Sequence, residues 1–328
     1  MKKNFKIIFF NFLILFGLFF FIELCLIIFD KNHLKDDDEL GWVLKDNLNF
    51  EKTEKDFYGN SYSVKFKTEE KGIISYGVKN SNQILVIGDS FSTDPYVSTN
   101  KMWYSVLTDK LKNKKNLDVN IKVIGAGGYG TLQQYLLLKR LKSELEPKFI
   151  IFQFCTNDFH NNFLGIEKLT GSINQYSRRP YLSGDRIVYS DEFISKLLRI
   201  KYVGQSRIIN KILFILFQKN NNPTISEDLL ESSKIITYNL LSKIKQIYPR
   251  KKYFMFNCNL DKVDFSHFEN NLNFNILNSV KKDLILAKKK RTKIYYKDGG
   301  HYNELGNKII GEAIFDDLIS TNIFSFLE

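Results

Sequence analysis

The stretch that decides the fold is "ILVIGDSFSTD", residues 84–94. Four apolar residues, three of them β-branched, run straight into Gly88-Asp89-Ser90, and a polar segment follows. An apolar run of this length, bounded by turn residues, reads as a buried strand. Gly88 and Asp89 suit a tight turn. The same letters also suit a serine presented as a nucleophile at the carboxyl end of a sheet strand. The partners of such a nucleophile must therefore be sought elsewhere in the chain.

Working outward, the pattern alternates between strand and helix. After 84–87 come an amphipathic "KMWYSVLTDKLKNK" (101–114), the strand "VNIKVIG" (119–125), the helix "TLQQYLLLKRLKSELE" (131–146) and the strand "KFIIFQF" (148–154). The alternation resumes with "KKYFMFN" (251–257), a helix around 270–290, "KIYYK" (293–297) as a last strand, and a helix over 304–320. Repeated βα units of this kind predict an α/β fold with a parallel sheet and helices on both faces. Residues 34–80 hold short alternating stretches such as "SYSVKFK" and read as a β-rich lead-in. Residues 159–230 break the alternation and contain one or two strongly amphipathic helices. An insertion of that length reads as a lid, cap or substrate-binding wall, or as a buried helical layer without such a role. The expected organisation is an anchor over 1–33, the lead-in over 34–80, and the α/β domain with its insertion over 81–328.

The anchor is read from residues 7–29, "IIFFNFLILFGLFFFIELCLIIF", long enough to span roughly 30 Å of hydrocarbon as a helix. Lys2, Lys3 and Lys6 precede it, and Asp36, Asp37, Asp38 and Glu39 follow. That charge order places the amino end in the cytoplasm and the remainder outside. The apolar run is too long for a cleaved signal peptide and no small-x-small site follows it. Glu23 inside the span faces a partner helix or the outer interface.

The 328 residues are 44% hydrophobic, enough for a sizeable core. The net charge is +12, but lysine is scattered among Asn, Ile and Phe instead of forming a stripe. Nucleic acid is therefore not an expected partner. Of three cysteines, Cys25 lies in the apolar segment, while Cys155 and Cys258 each follow a predicted strand and so could end up close together, though they read first as free buried thiols. No His/Cys/Asp cluster has ligand spacing, so neither metal nor cofactor is expected.

A serine nucleophile needs a base, an orienter for that base and donors for an oxyanion. There are four histidines. One, His301, sits in "DGGHYNELGNK" between a strand and a helix, three residues after Asp298. In a turn that spacing puts carboxylate and imidazole on one side, with the other ring nitrogen toward Ser90. Asn303 or its neighbours cap the following helix. Two further loops belong to the same sheet edge. "VIGAGGYGT" (123–131) offers a backbone N–H at Gly128, and "FCTND" (154–158) offers the Asn157 amide. A competing reading takes Gly125-Ala126-Gly127-Gly128-Tyr129-Gly130 as a dinucleotide fingerprint. It would lie in the second βα turn instead of the first, and no acid ends the next strand at the required spacing.

Taken in order, Gly88-Asp89-Ser90, Gly128 within "GGYGTLQQ", Asn157-Asp158 and Asp298-x-x-His301 resemble the four blocks of the SGNH (GDSL-like) hydrolases. The resemblance covers roughly residues 84–158 and 293–320 and leaves the insertion uncovered. It implies a flavodoxin-like three-layer sandwich and acyl-ester chemistry. In that frame Ser90 is the nucleophile, His301 the base and Asp298 its orienter. The Ser90 and Gly128 N–H groups and the Asn157 amide form the oxyanion hole, with Asp89 and Asp158 supporting. Two positions depart from the pattern. Val123 stands where the second block opens with Asn, and Cys155 stands where the third has Gly. They bear on the shape of the oxyanion loop and on whether Gly127 or Gly128 donates.

The expectation is a membrane-anchored serine esterase or O-acyltransferase, single-pass, with its catalytic domain outside the cytoplasm. Its substrate would be an acylated surface glycan or a lipid-linked saccharide. The alternatives are a non-catalytic glycan-binding or assembly module on the same fold, and a membrane lipid (lyso)lipase with the apolar insertion as lid.

Overall fold

The computed structural model describes residues 2–29, 32–56, 58–93, 95–170, 178–191, 193–198, 200–217, 224–261, 263–297, 299–321 and 323. The strands are β1 (Leu34–Asp37), β2 (Gly41–Leu44), β3 (Asn49–Lys55), β4 (Ser61–Lys67), β5 (Ile74–Gly77), β6 (Asn82–Gly88), β7 (Val119–Gly125), β8 (Phe149–Phe154), β9 (Pro180–Ser183), β10 (Arg186–Tyr189), β11 (Lys252–Asn257) and β12 (Asn275–Ile276). The helices are α1 (Lys2–Phe29), α2 (Ser90–Thr93), α3 (Trp103–Lys115), α4 (Thr131–Leu141), α5 (Asn157–Asn161), α6 (Leu164–Thr170), α7 (Phe193–Leu198), α8 (Lys201–Gln205), α9 (Arg207–Phe217), α10 (Glu227–Ile247), α11 (Ser266–Asn270), α12 (Ser279–Lys289) and α13 (Glu304–Ser320).

Six strands form the central sheet in the order β12-β11-β8-β6-β7-β5. Strands β6, β8 and β11 are apolar on both faces along most of their length, as a sheet covered by helices on each side requires. Ile84, Leu85, Val86 and Ile87 are completely buried, and so is every residue of β8 to within 1%. All neighbouring pairs are parallel except β5 against β7. Helices α3, α12 and α13 pack together as one layer, and α10 packs on α4 and α5 in the other. This is the expected α/β sandwich. Gly125 shows how tightly β6 and β7 approach at their carboxyl ends: its φ is +143°, and a Cβ there would lie 2.0 Å from the Gly88 carbonyl oxygen. Only glycine fits.

Three sequence expectations need correction. The stretch 293–297 is not a sheet strand; Tyr295 makes one isolated bridge, to Tyr302. The place beside β11 is taken by β12, whose Asn275 and Ile276 pair with Phe254 and Met255. Pairing of those two residues is also why the helix read around 270–290 begins only at Ser279. The third correction concerns the thiols: Cys155 and Cys258 are joined in a disulfide with Cα atoms 5.2 Å apart. Parallel pairing of β8 with β11 brings the two strand ends side by side, Asn257 opposite Phe154, so the residues that follow meet.

Between α1 and β5 lie two antiparallel pairs, β1–β2 and β3–β4. The first is tied to α4 through a bidentate pair from Arg140 to Asp37, at 2.6 and 2.9 Å. The second leans on the loop after α2. The stretch between α5 and α10 supplies α6, the antiparallel pair β9–β10, and α7, α8 and α9. Among the described residues one helix is long and apolar enough to cross a membrane, over Phe5–Ile28. Glu23, midway through its last turns, accepts hydrogen bonds from the Ser206 hydroxyl (2.9 Å) and from the backbone N–H groups of Arg207 (2.6 Å) and Ile208 (3.1 Å). Its carboxylate thus satisfies the open donors at the start of α9, as an acidic group at a helix N-terminus does.

Candidate active site

The loops that follow β6, β7 and β8 emerge side by side, because Gly88 lies opposite Gly125 and Ile87 opposite Phe152. They carry Ser90, Gly128 and Asn157 respectively. This is the carboxyl edge of a parallel sheet, where open α/β folds place their ligands.

Ser90 opens the one-turn helix α2 on an elbow fixed from below. The backbone N–H groups of Ser92 and Thr93 both donate to the Asp89 carbonyl at 3.0 Å. Asp89 is 2% exposed, and its carboxylate accepts from the Phe91 N–H (3.0 Å) and from the Gln153 amide (2.7 Å). The same Gln153 accepts from the Ser92 hydroxyl at 2.6 Å, and the Trp103 indole N–H donates to that hydroxyl at 3.2 Å. Gln153 is completely buried in β8. A polar side chain there is retained only because its groups are paired. It holds the elbow to the neighbouring strand.

His301 lies with its Nε2 2.9 Å from the Ser90 Oγ. The imidazole is stacked on the Tyr96 ring, with centroids 4.4 Å apart and planes at 23°, and it touches Phe91 at 5.2 Å. The backbone on either side is tied down: the Tyr296 N–H donates to the His301 carbonyl at 2.7 Å. Asn303 caps α13 by accepting from the Gly306 N–H at 3.0 Å, while its amide reaches the Lys293 and Tyr295 carbonyls. Asp298, the expected orienter, lies outside the described residues.

The Gly128 loop is held differently. Gly128 has φ +76°, the left-handed region that glycine adopts without strain. Its carbonyl accepts from the Arg179 guanidinium at 2.6 Å, and the Gly127 carbonyl accepts from the Trp42 indole at 2.9 Å. Tyr129 returns a hydroxyl to the Trp42 carbonyl at 2.5 Å. Arg179 is completely buried and lies 5.3 Å over the Trp42 ring, a cation–π arrangement. With both carbonyls pulled away by donors, the loop's backbone orientation is set from outside the sheet.

Asn157 begins α5 and is half-buried. Its neighbour Asp158 is completely buried and accepts from the Cys155 N–H at 3.1 Å. Burial, and secondarily the nearby Asp89 carboxylate, push its carboxyl well above the usual range. The Cys155–Cys258 disulfide ties this loop to the end of β11.

The lead-in also reaches the site. The Tyr62 hydroxyl donates to the Tyr96 carbonyl at 3.0 Å, so the residue under the imidazole is propped by β4. Tyr296 donates its hydroxyl to Glu54 of β3, which also pairs with Lys52 at 2.7 Å. Burial opposes ionisation of Glu54, but the Lys52 and Tyr296 hydrogen bonds prevail and hold its carboxyl below the usual range. Trp42, Arg179, Gln153 and Glu54 were not singled out in the sequence. Gln153 was findable as the one polar residue inside an apolar strand.

Residues 84–314 match the family described as GDSL-like Lipase/Acylhydrolase. The chain belongs to that family. As a GDSL-like lipase/acylhydrolase it is a serine ester hydrolase, with the α/β fold described above. No curated protein sequence matches it. Similar solved structures include the psychrotrophic esterase EstA from Pseudoalteromonas sp., at 12% identity and a TM-score of 0.41, covering 74% of this chain and 99% of that one. A lipase/acylhydrolase from Enterococcus faecalis matches at 14% identity and a TM-score of 0.39, covering 73% and 96%. A family 3 carbohydrate esterase from Clostridium thermocellum matches at 12% identity and a TM-score of 0.41, covering 76% and 100%.

Proposed function

We propose that this GDSL-like hydrolase is a membrane-anchored esterase or O-acyltransferase working outside the cytoplasm on acylated surface glycans or lipid-linked saccharides. The observation that carries the chemistry is the 2.9 Å approach of the His301 Nε2 to the Ser90 Oγ at the carboxyl edge of the sheet. His301 takes the Ser90 proton as the hydroxyl attacks the ester carbonyl, and returns it to the departing alkoxide. Asp298 holds the imidazole in the tautomer that leaves Nε2 free to accept. The Ser90 and Gly128 N–H groups and the Asn157 amide receive the oxyanion. The acyl-enzyme then passes its acyl group to water, giving a deacylase, or to a sugar hydroxyl, giving a transferase.

The apolar segment Phe5–Ile28 supports the anchor. The Cys155–Cys258 disulfide supports the extracytoplasmic side, because disulfides persist in oxidising compartments. A fluorophosphonate probe on the full-length protein, beside Ser90→Ala, tests the assignment. Labelling and p-nitrophenyl acetate turnover that both vanish in the variant are expected. A folded wild-type chain that takes no label would favour a binding or assembly module instead. Turnover that rises steeply with acyl length would favour a lipid (lyso)lipase over the glycan reading.

A further inference from the structure

At the outer end of the apolar helix lies a cavity of about 790 Å³ whose walls come from four parts of the chain. Its lining includes Ile27 of α1, Trp42, Lys45, Arg178, and Arg207 and Lys211 of α9. Five cationic side chains, these four and Lys35, face a single lining carboxylate, Asp36. Three of the cations have acidic neighbours: Lys35 pairs with Asp46 at 2.5 Å, the Arg178 Nη1 lies 3.8 Å from Asp38, and Arg207 is near Glu23 and Asp36. Arg178 is 9% exposed and is held in place by its Nε, which donates to the Leu198 carbonyl at 3.0 Å. An anion in the cavity would meet five cationic side chains against one lining carboxylate.

The position of the cavity says which anion. The three hydrogen bonds from the start of α9 to Glu23 fix α9 against the last turns of α1. Glu23 stands five residues before Ile28, about 7.5 Å along a helix. Helix α9 therefore begins just inside the boundary of a membrane crossed by Phe5–Ile28. Its Ile212, Ile215 and Leu216 are 48, 75 and 64% exposed and recur at the three- and four-residue spacing that puts them on one face. An amphipathic helix with such a face beside basic residues lies in the membrane interface. Ile27 and Ile215 also line the cavity, so its lining is apolar as well as cationic.

We infer that this cavity binds the phosphate headgroup of one anionic phospholipid, with its acyl chains running along Ile27 and Ile215. Arg178 receives the phosphate, Lys45 and Lys211 add charge, and α9 lies flat as an interfacial helix. The inference rests on the reading of α1 as a retained membrane anchor, not on any ester chemistry.

The test uses full-length protein in a mild non-ionic detergent, mixed with phosphatidylglycerol or phosphatidylcholine and weighed intact by native mass spectrometry. One phosphatidylglycerol retained per chain is expected, with phosphatidylcholine retained at least tenfold less. Lys45→Glu combined with Lys211→Glu should abolish the preference. Arg178→Gln should do the same if it folds, and the lysine pair keeps the test decisive if it does not. Excess glycerol phosphate should not displace the lipid. Equal retention of both lipids, or an unchanged preference in the lysine variant, would overturn the pocket. Displacement by glycerol phosphate at matching concentration would overturn the lipid in favour of a soluble phosphate. A mass lacking residues 1–29 would overturn anchor and pocket together, whereas failure of ester hydrolysis leaves every one of these readings standing.

Discussion

The elbow under Ser90 and the loop at Gly128 sit side by side on one sheet edge, yet they are held by different means. The elbow is braced from within the sheet. Asp89 and Ser92 are paired to Gln153 on the adjoining strand, and that strand's place is dictated by the apolar registry of β6 and β8. The Gly128 loop is braced from two appendages. Trp42 comes from a segment preceding the family-matched residues 84–314, and Arg179 comes from the insertion between α5 and α10. A sheet that folds therefore brings its own Ser90 elbow. The Gly128 loop is set only when the lead-in and the insertion have docked as well. On the proposed chemistry, the appendages position the oxyanion loop from outside the sheet.

Five measurements can break or sharpen that contrast. The largest effect should come from Ser90→Ala, which removes the proposed attacking atom and should cost about 10⁶-fold in kcat while leaving Tm nearly unchanged. Turnover surviving at the wild-type rate would remove Ser90 from the mechanism. Next, Asn157→Ala should cost about 10²–10³-fold in kcat, the loss of one proposed oxyanion donor; a wild-type rate would show that the amide points away from the reacting oxygen. Arg179→Met removes a charge-assisted hydrogen bond from the Gly128 carbonyl, a change of about 1.5–3 kcal/mol. It should lower kcat by about 10–100-fold at temperatures well below Tm, with KM little changed. A lower Tm with unaltered kcat would mean that Arg179 only stabilises the fold, and the comparison with the elbow would collapse. Trp42→Phe deletes the single indole donor to Gly127 and keeps the ring. It should cost a few-fold in kcat, in line with a net hydrogen bond of about 0.5–1.5 kcal/mol; an effect as large as that of Arg179→Met would shift the weight of the bracing to the lead-in.

The smallest effect on rate, but a signed one on stability, concerns Asp158. Its carboxyl is raised in the folded chain by burial and by Asp89. The folded state therefore keeps a proton that the unfolded state releases near the ordinary Asp value of about 3.9. Stability supplied by this group is complete below that pH and is lost as pH rises toward the folded value. Asp158→Asn should abolish that decline. Denaturant titrations of both proteins from pH 4 upward check it, and parallel curves at every pH would show that the buried carboxyl does not titrate differently on folding.

How much of this was readable in advance follows the same division. Strands β6, β8 and β11 were legible because four consecutive apolar residues leave few other placements, and β7 because its apolar residues alternate with Asn120 and Lys122; the loops carrying Ser90, Gly128 and Asn157 were legible because each follows one of these strands. The helix over Glu304–Ser320 and its Asn303 cap were legible from local chemistry alone. The edge was not. The stretch 293–297 alternates like a strand, but Asn275 and Ile276 take the place beside β11, and no local pattern ranks two short candidates for one edge. The disulfide was missed because two isolated cysteines 103 positions apart say nothing of strand order. Trp42 and Arg179 could not be read at all: their partners are backbone carbonyls, and a carbonyl leaves no mark in the sequence.

That disulfide has a topological consequence. The chain leaves the sheet after β8, traverses the whole run of α6, β9, β10 and α7 to α10, re-enters through β11, and is stitched shut at the two strand ends. The residues between Cys155 and Cys258 form a covalent lariat whose neck is the sheet edge that carries Ser90. A protease that nicks the lariat leaves one molecule with a single hydrodynamic identity, which separates into two fragments on a gel only after reduction. The elbow and the His301 turn then remain tethered across the cut.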